Sequence, residues 1–196
     1  MKGIAFTLFS ELVESVFGLA TWDRVLRTTG DDGVFTTAGN YADERMMKLV
    51  GSLSEHTGLA SNTLIRTFGE FMFGGFVRTY PSFFEREQTA KQLLKSVDSI
   101  IHVEVKKLFP NAILPRFDYE DPSENELVMI YRSERKMCVL AEGLFNGAAK
   151  HFKTPVEYKQ TKCLLTGDDH CRFELTFPQT DISTCLLYTS PSPRDS

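Results

Sequence analysis

The sequence predicts an α+β fold: a helical N-terminal half joined to an α+β C-terminal half with a four-stranded, mainly antiparallel sheet. Two observations carry this. Up to Pro110 the apolar residues recur at three- and four-residue steps, the spacing of one helix face. Beyond Pro110 they fall in short extended runs around turn clusters, with one further helical run between two strand pairs.

The first helix is expected over Lys2–Phe17, with Ile4, Leu8, Leu12 and Val16 on one stripe and Gly18 as the stop. Thr21 can cap a short helix through Trp22, Val25 and Leu26, ended by Gly30. After the Asp31-Asp32-Gly33 turn, Asn40 can cap a helix carrying Met46, Leu49, Val50 and Leu53 as far as Gly58. Ser61 starts the next, lined by Leu64, Phe68, Met72 and Phe76, widened by Phe71 and Phe73 and ended by Pro81. Leu94, Val97, Ile101, Val105 and Leu108 continue the helical spacing through Ser99–Pro110. His102 lies at the edge of that face, one turn from Asp98 and from Lys106. Over Ile101–Val105 alone a strand is the competitor; the longer series favours the helix. Arg116–Glu120 and Glu126–Arg132 read as strands around Asp121–Asn125, and Val156–Leu164 and Cys171–Phe177 as strands around Thr166–Asp169. Between the pairs, Lys136–Phe152 is helical, with Met137, Leu140, Ala141, Leu144, Ala148 and Phe152 on one face.

The 196 residues suit one domain, expected over residues 1–178. Apolar content of 42% with 24% charged residues is ordinary for a soluble globular protein. A net charge of −4 argues against general nucleic-acid affinity. No run approaches a membrane span, and Glu11 and Glu14 interrupt any signal-peptide core. Four cysteines without a secretion signal point to reduced thiols or a metal site, and the expected compartment is the cytoplasm. The 16 phenylalanines suit a wide dry cavity as well as a bulky core. Residues 179–196 are expected to be a disordered tail. Within it Cys185–Asp195, CLLYTSPSPRD, resembles the conceptual translation of a sequencing-library transposon adapter. Cys185 is therefore left out of any functional count, and the natural chain is expected to part from this one near Thr184.

Two stretches carry chemistry. A lone histidine beside an apolar face, as His102 is, more often packs than binds. Tyr131, Ser133 and Arg135, if extended, point to one side about 6.5 Å apart. Their phenol, hydroxyl and guanidinium suit a pair of carboxylates. The alternative is a half-exposed strand end whose polar alternation has no functional meaning. His56 and His151 read as surface helix residues.

MKGIAFTLFSELVESVFG at the start, IIHVEVKKLFP around His102, YRSER at 131–135 and AEGLFNGAAKHF at 141–152 together resemble the heme-nitric oxide/oxygen binding (H-NOX) family. The resemblance covers essentially Met1–Phe177. It rests on the Tyr-x-Ser-x-Arg pattern combined with the upstream histidine. It implies a regulatory sensor domain, not an enzyme, with a b-type heme between the two halves. His102 would be the proximal iron ligand, Tyr131, Ser133 and Arg135 would bind the propionates, and Pro115 would pack against the porphyrin. Family members that hold oxygen have a tyrosine at the position of Leu140 and polar partners at the positions of Phe9 and Gly74. With Leu144 on the helix face of Leu140, an apolar distal pocket is implied, favouring nitric oxide and carbon monoxide over oxygen. Nitric oxide would weaken the trans iron–histidine bond and free the His102 helix, signalling to a histidine kinase or a diguanylate cyclase.

Cys163 and Cys171 frame the last hairpin and Cys138 opens the neighbouring helix, so three thiolates can converge on zinc. Some H-NOX members resemble this and carry zinc on three cysteines and a histidine. The matching histidine position is Gln160 here, so His170 would have to swing in. Buried or redox-responsive thiols are the alternative. A cysteine/zinc redox-sensing regulatory domain is accordingly the second reading of the whole chain. A third, a small-molecule-binding domain of the 4-vinyl reductase type, fits the hairpin cysteines and leaves His102 with Tyr131, Ser133 and Arg135 unexplained.

Overall fold

Helices α1 (Gly3–Phe17), α2 (Leu19–Thr29), α3 (Asp43–Thr57) and α4 (Ser61–Thr79) build the N-terminal half. The computed structural model describes residues 1–178; the tail expectations lie outside the described residues. Gly18, Gly30 and Gly58 end the first three helices at φ 84°, 67° and 73°, conformations that a Cβ would penalise. Two expected caps do not act as caps. Thr21 sits inside α2 and its hydroxyl donates to the Phe17 carbonyl at 2.8 Å, while Gly18 makes the turn. Asn40 precedes a helix that begins at Asp43, where Asp43 and Glu44 put acidic groups against the positive helix end.

The apolar stripes meet in one core. Phe9 is fully buried, its ring 5.2 Å from Phe68 and 6.2 Å from Trp22, both edge-on. Helix α7 (Cys138–Phe152) crosses α4 at close range, and glycines allow it. A Cβ on Gly143 would lie 2.1 Å from the Arg66 carbonyl oxygen, and one on Gly69 would lie 2.4 Å from that of Leu140. Arg66 then locks the crossing: its Nε and Nη2 donate to Oε2 of the buried Glu142 at 2.9 and 2.6 Å. Both backbones would have to move to admit a methyl group. Gly143→Ala is therefore expected to lower unfolding free energy by about 1–3 kcal/mol. Urea denaturation checks this, and an unchanged midpoint would show slack at the crossing.

One helical stretch runs from Ala90 to Leu108, as the longer apolar series predicts, so the strand competitor fails. It comprises α5 (Ala90–Ser96), a π-helical turn (Val97–Ile101) and α6 (His102–Leu108). Thr89 caps it, accepting the Gln92 N–H at 3.2 Å. Strands β1 (Arg116–Ser123), β2 (Glu126–Arg132), β3 (Glu157–Lys162) and β4 (Cys171–Thr176) form a sheet of order β1-β2-β4-β3. It is antiparallel throughout. Helix α7 covers one sheet face through Phe145, whose ring stands edge-on to Phe173 at 5.2 Å and Tyr158 at 5.7 Å.

Candidate functional site

His102 is the first residue of α6, directly after the π turn, and its side chain is 15% exposed. Burial holds the imidazole below the usual histidine range, with Asp98 opposing, so the ring is neutral near pH 7. Nδ1 lies 3.4 Å from Asp98 Oδ1, and no hydrogen bond engages Nε2 among the described residues. Its ring centroid is 5.9 Å from that of Phe117 on β1, and Phe117 is 5.4 Å from Tyr131 on β2. Phe117 and Tyr131 are register partners, so antiparallel pairing brings the two motifs of the sequence to one place.

The strand ends at Arg132, three residues short of the extended chain that the Tyr131–Arg135 spacing assumes. The alternation nevertheless persists: Tyr131, Ser133 and Arg135 turn inward while Arg132 and Glu134 are exposed. The Tyr131 hydroxyl accepts the Met137 N–H, and Ser133 Oγ accepts the Arg135 N–H, each at 3.2 Å. Each hydroxyl therefore keeps its own proton to donate. Arg135 Nε pairs with Asp43 Oδ2 at 2.7 Å, and its Nη1 donates to the Ile113 carbonyl at 3.0 Å. A cleft of about 670 Å³ opens there, lined by Asp43, Glu44, Met47, Lys48, Ile113, Glu134 and Arg135. Pro115, half-buried, lies in the connection from α6 to β1.

Leu140 and Leu144 are half-buried on α7, and Phe9 is sealed in the core beside Trp22 and Phe68. Gly69 occupies the face of α4 turned to α7, and Gly75 the face turned to Leu8 of α1. Gly74 lines a groove between α4 and α7 with Glu70, Phe73, Val77, Gly147, Lys150 and His151.

Cys138, Cys163 and Cys171 hold their sulfurs within 4.8 Å of one another, beside Tyr131 in the sheet register. The Leu164 N–H donates to Cys171 Sγ at 3.2 Å and the Leu165 N–H to Cys163 Sγ at 3.4 Å. Burial pushes the Cys138 thiol up and the Cys171 thiol up to about 12. His170 does not swing in: its Nδ1 lies 2.7 Å from Asp169. It is not among the ligand atoms that converge there. Gln160 Nε2 is buried without a partner. Among the described residues the cluster thus offers three donors of a four-donor zinc site, and the complete set does not fit.

A family model described as haem-NO-binding matches residues 2–160. The chain belongs to the haem-NO-binding family. An H-NOX protein from S. oneidensis in the Fe(II)NO state is 27% identical with a TM-score of 0.86, over 91% of this chain and 100% of that one. The Fe(II) unliganded H-NOX protein from K. algicida is 33% identical with a TM-score of 0.84, over 97% of this chain and 100% of that one. The SO2144 H-NOX domain from Shewanella oneidensis, in the Fe(II)CO state, is 27% identical with a TM-score of 0.85, over 92% and 100%. No curated protein matches the sequence.

Two residues at this H-NOX site escaped the sequence reading. Asp43 has no role in that reading, because nothing local ties it to Arg135. Asp98 was visible one turn from His102, and that spacing was the available signal for its contact with the imidazole.

Proposed function

We propose that this H-NOX domain is a nitric oxide sensor that holds a ferrous b-type heme between its helical half and its sheet, with His102 as the iron ligand. The observation that carries the reading is the ring series His102–Phe117–Tyr131, which sets a neutral imidazole with an unengaged Nε2 near a pair of hydroxyl donors. The residues fit the group. Neutral imidazole is a favoured iron ligand, and Tyr131, Ser133 and Arg135 suit two propionates. Pro115 packs against the porphyrin face in this reading. A ferrous heme held by His102 would supply an iron site for a diatomic gas. Phe9, Leu140 and Leu144 carry no hydrogen-bond donor, so nitric oxide and carbon monoxide are favoured over oxygen. His102 would hold the iron and begins α6, so a change at that ligand would move the helix and signal to a histidine kinase or diguanylate cyclase. The domain regulates and does not catalyse. No described helix is long and apolar enough to cross a membrane, in keeping with a cytoplasmic sensor.

The cysteine cluster supports a second reading, a thiol-based redox regulator, because three sulfurs converge and two backbone N–H groups point at them. One preparation separates the two. A Soret band that shifts when nitric oxide is added to the ferrous protein supports the first reading. Reversible oxidation of these thiols in a protein with no Soret band would establish the second instead.

A further inference from the structure

The π turn before His102 is tied to the sheet through one residue. Asp98 Oδ1 accepts the Phe117 N–H of β1 at 3.3 Å and lies 3.4 Å from His102 Nδ1. The Asp98 backbone N–H donates to the Tyr119 hydroxyl at 3.3 Å. Burial of that phenol pushes its pKa upward, so the hydroxyl stays neutral and remains an acceptor. Asp98 thus touches two consecutive inward residues of β1 as well as the imidazole. Phe117 is in turn the ring between His102 and Tyr131.

We propose that Asp98 is a positioning residue for His102: its carboxylate holds the imidazole as the Nδ1–H tautomer with Nε2 presented for ligation, and it anchors the π turn to β1. The proposal rests on His102 being the heme ligand and adds what sets the strength and direction of that bond.

The physical argument has two parts. A metal-bound histidine that donates its second N–H to a carboxylate is a stronger electron donor, and its ring plane is fixed. Breaking such a bond from the iron side therefore works against a carboxylate that keeps the ring polarised. The second part is mechanical. A π turn is a strained insertion in an α-helix, common at functional sites, and here it runs from Val97 to Ile101 between two α-helical segments. The His102 N–H closes it on the Val97 carbonyl. Asp98 lies in that turn, so its two contacts with β1 restrain the segment that must shift if His102 moves. The carboxyl is 38% exposed, so neither contact costs the full penalty of a buried charge.

The test uses the ferrous heme-loaded protein in three forms: wild type, Asp98→Asn and Asp98→Ala. Resonance Raman spectroscopy reads the iron–histidine stretch, and transfer of heme to an acceptor apoprotein reads its dissociation. Asp98→Asn keeps an oxygen for the Phe117 N–H but loses the carboxylate charge. Its iron–histidine stretch is expected at lower frequency, with a band of wild-type width. Asp98→Ala loses the anchor too; its band is expected lower still and broader, with heme loss faster by about 10–100-fold, the range for partners of metal ligands. The fraction of nitrosyl protein without the histidine bond rises in both variants. A purely structural role would lower stability and leave the stretch of the Asn variant unmoved. Variants that both retain the wild-type frequency and width overturn the proposal while the heme reading stands. A wild-type protein showing no iron–histidine stretch overturns the heme reading and the proposal with it.

Discussion

His102→Ala is expected to purify with little or no heme, and added imidazole is expected to restore a Soret band. The side chain heads α6 at the end of the π turn, largely shielded from water, and its neutral ring leaves Nε2 unengaged. Removing it leaves a ring-sized space that free imidazole can enter, with Asp98 still available to accept its N–H. The other described histidines cannot readily substitute. His56 Nδ1 is 2.9 Å from the Ser52 carbonyl on α3, His151 stacks among Phe73, Phe84 and Phe152, and His170 faces Asp169. The measurement is the ratio of Soret to protein absorbance with and without imidazole. Full heme content with an unchanged ferrous spectrum would show that the iron is held elsewhere.

Ferrous wild-type protein is expected to remain unoxygenated in air, and Leu140→Tyr to raise its oxygen affinity roughly 10- to 100-fold. Bound dioxygen gains partial negative charge, and a hydrogen bond to a charged group is worth about 1.5–3 kcal/mol. No such donor comes from Leu140, Leu144 or Phe9. The Leu140 backbone is packed, with its carbonyl against Gly69, but its side chain is half-buried and has room to be exchanged. Oxygen titration of the ferrous protein checks both statements. A stable oxygen complex of the wild type would remove the apolar pocket as the basis of gas selection.

Most of the scaffold was legible. Leu8 with Leu12, Leu49 with Leu53 and Phe68 with Met72 lie at helical spacing and are all buried. The strand at Glu126–Arg132 has the bounds that its alternation predicts. The inward turn of Tyr131, Ser133 and Arg135 was legible too, although the strand stops before Ser133. His170 stays out of the sulfur cluster because its position in the chain does not tell which neighbour its ring will meet. Its Nδ1 lies instead 2.7 Å from Asp169, the residue before it.

By itself, the sequence determined the order and kind of the elements, because burial of an apolar stripe follows from local periodicity. Resemblance to the H-NOX family, and not their spacing alone, singled out His102 with Tyr131, Ser133 and Arg135. Only the tertiary structure decided what those groups touch. Antiparallel pairing puts Phe117 against Tyr131 and under His102, Arg135 reaches the head of α3 at Asp43, and Asp98 is shared between the imidazole and β1. Each of these contacts joins residues remote in the chain, and its geometry depends on how helices and sheet pack, which no local pattern encodes.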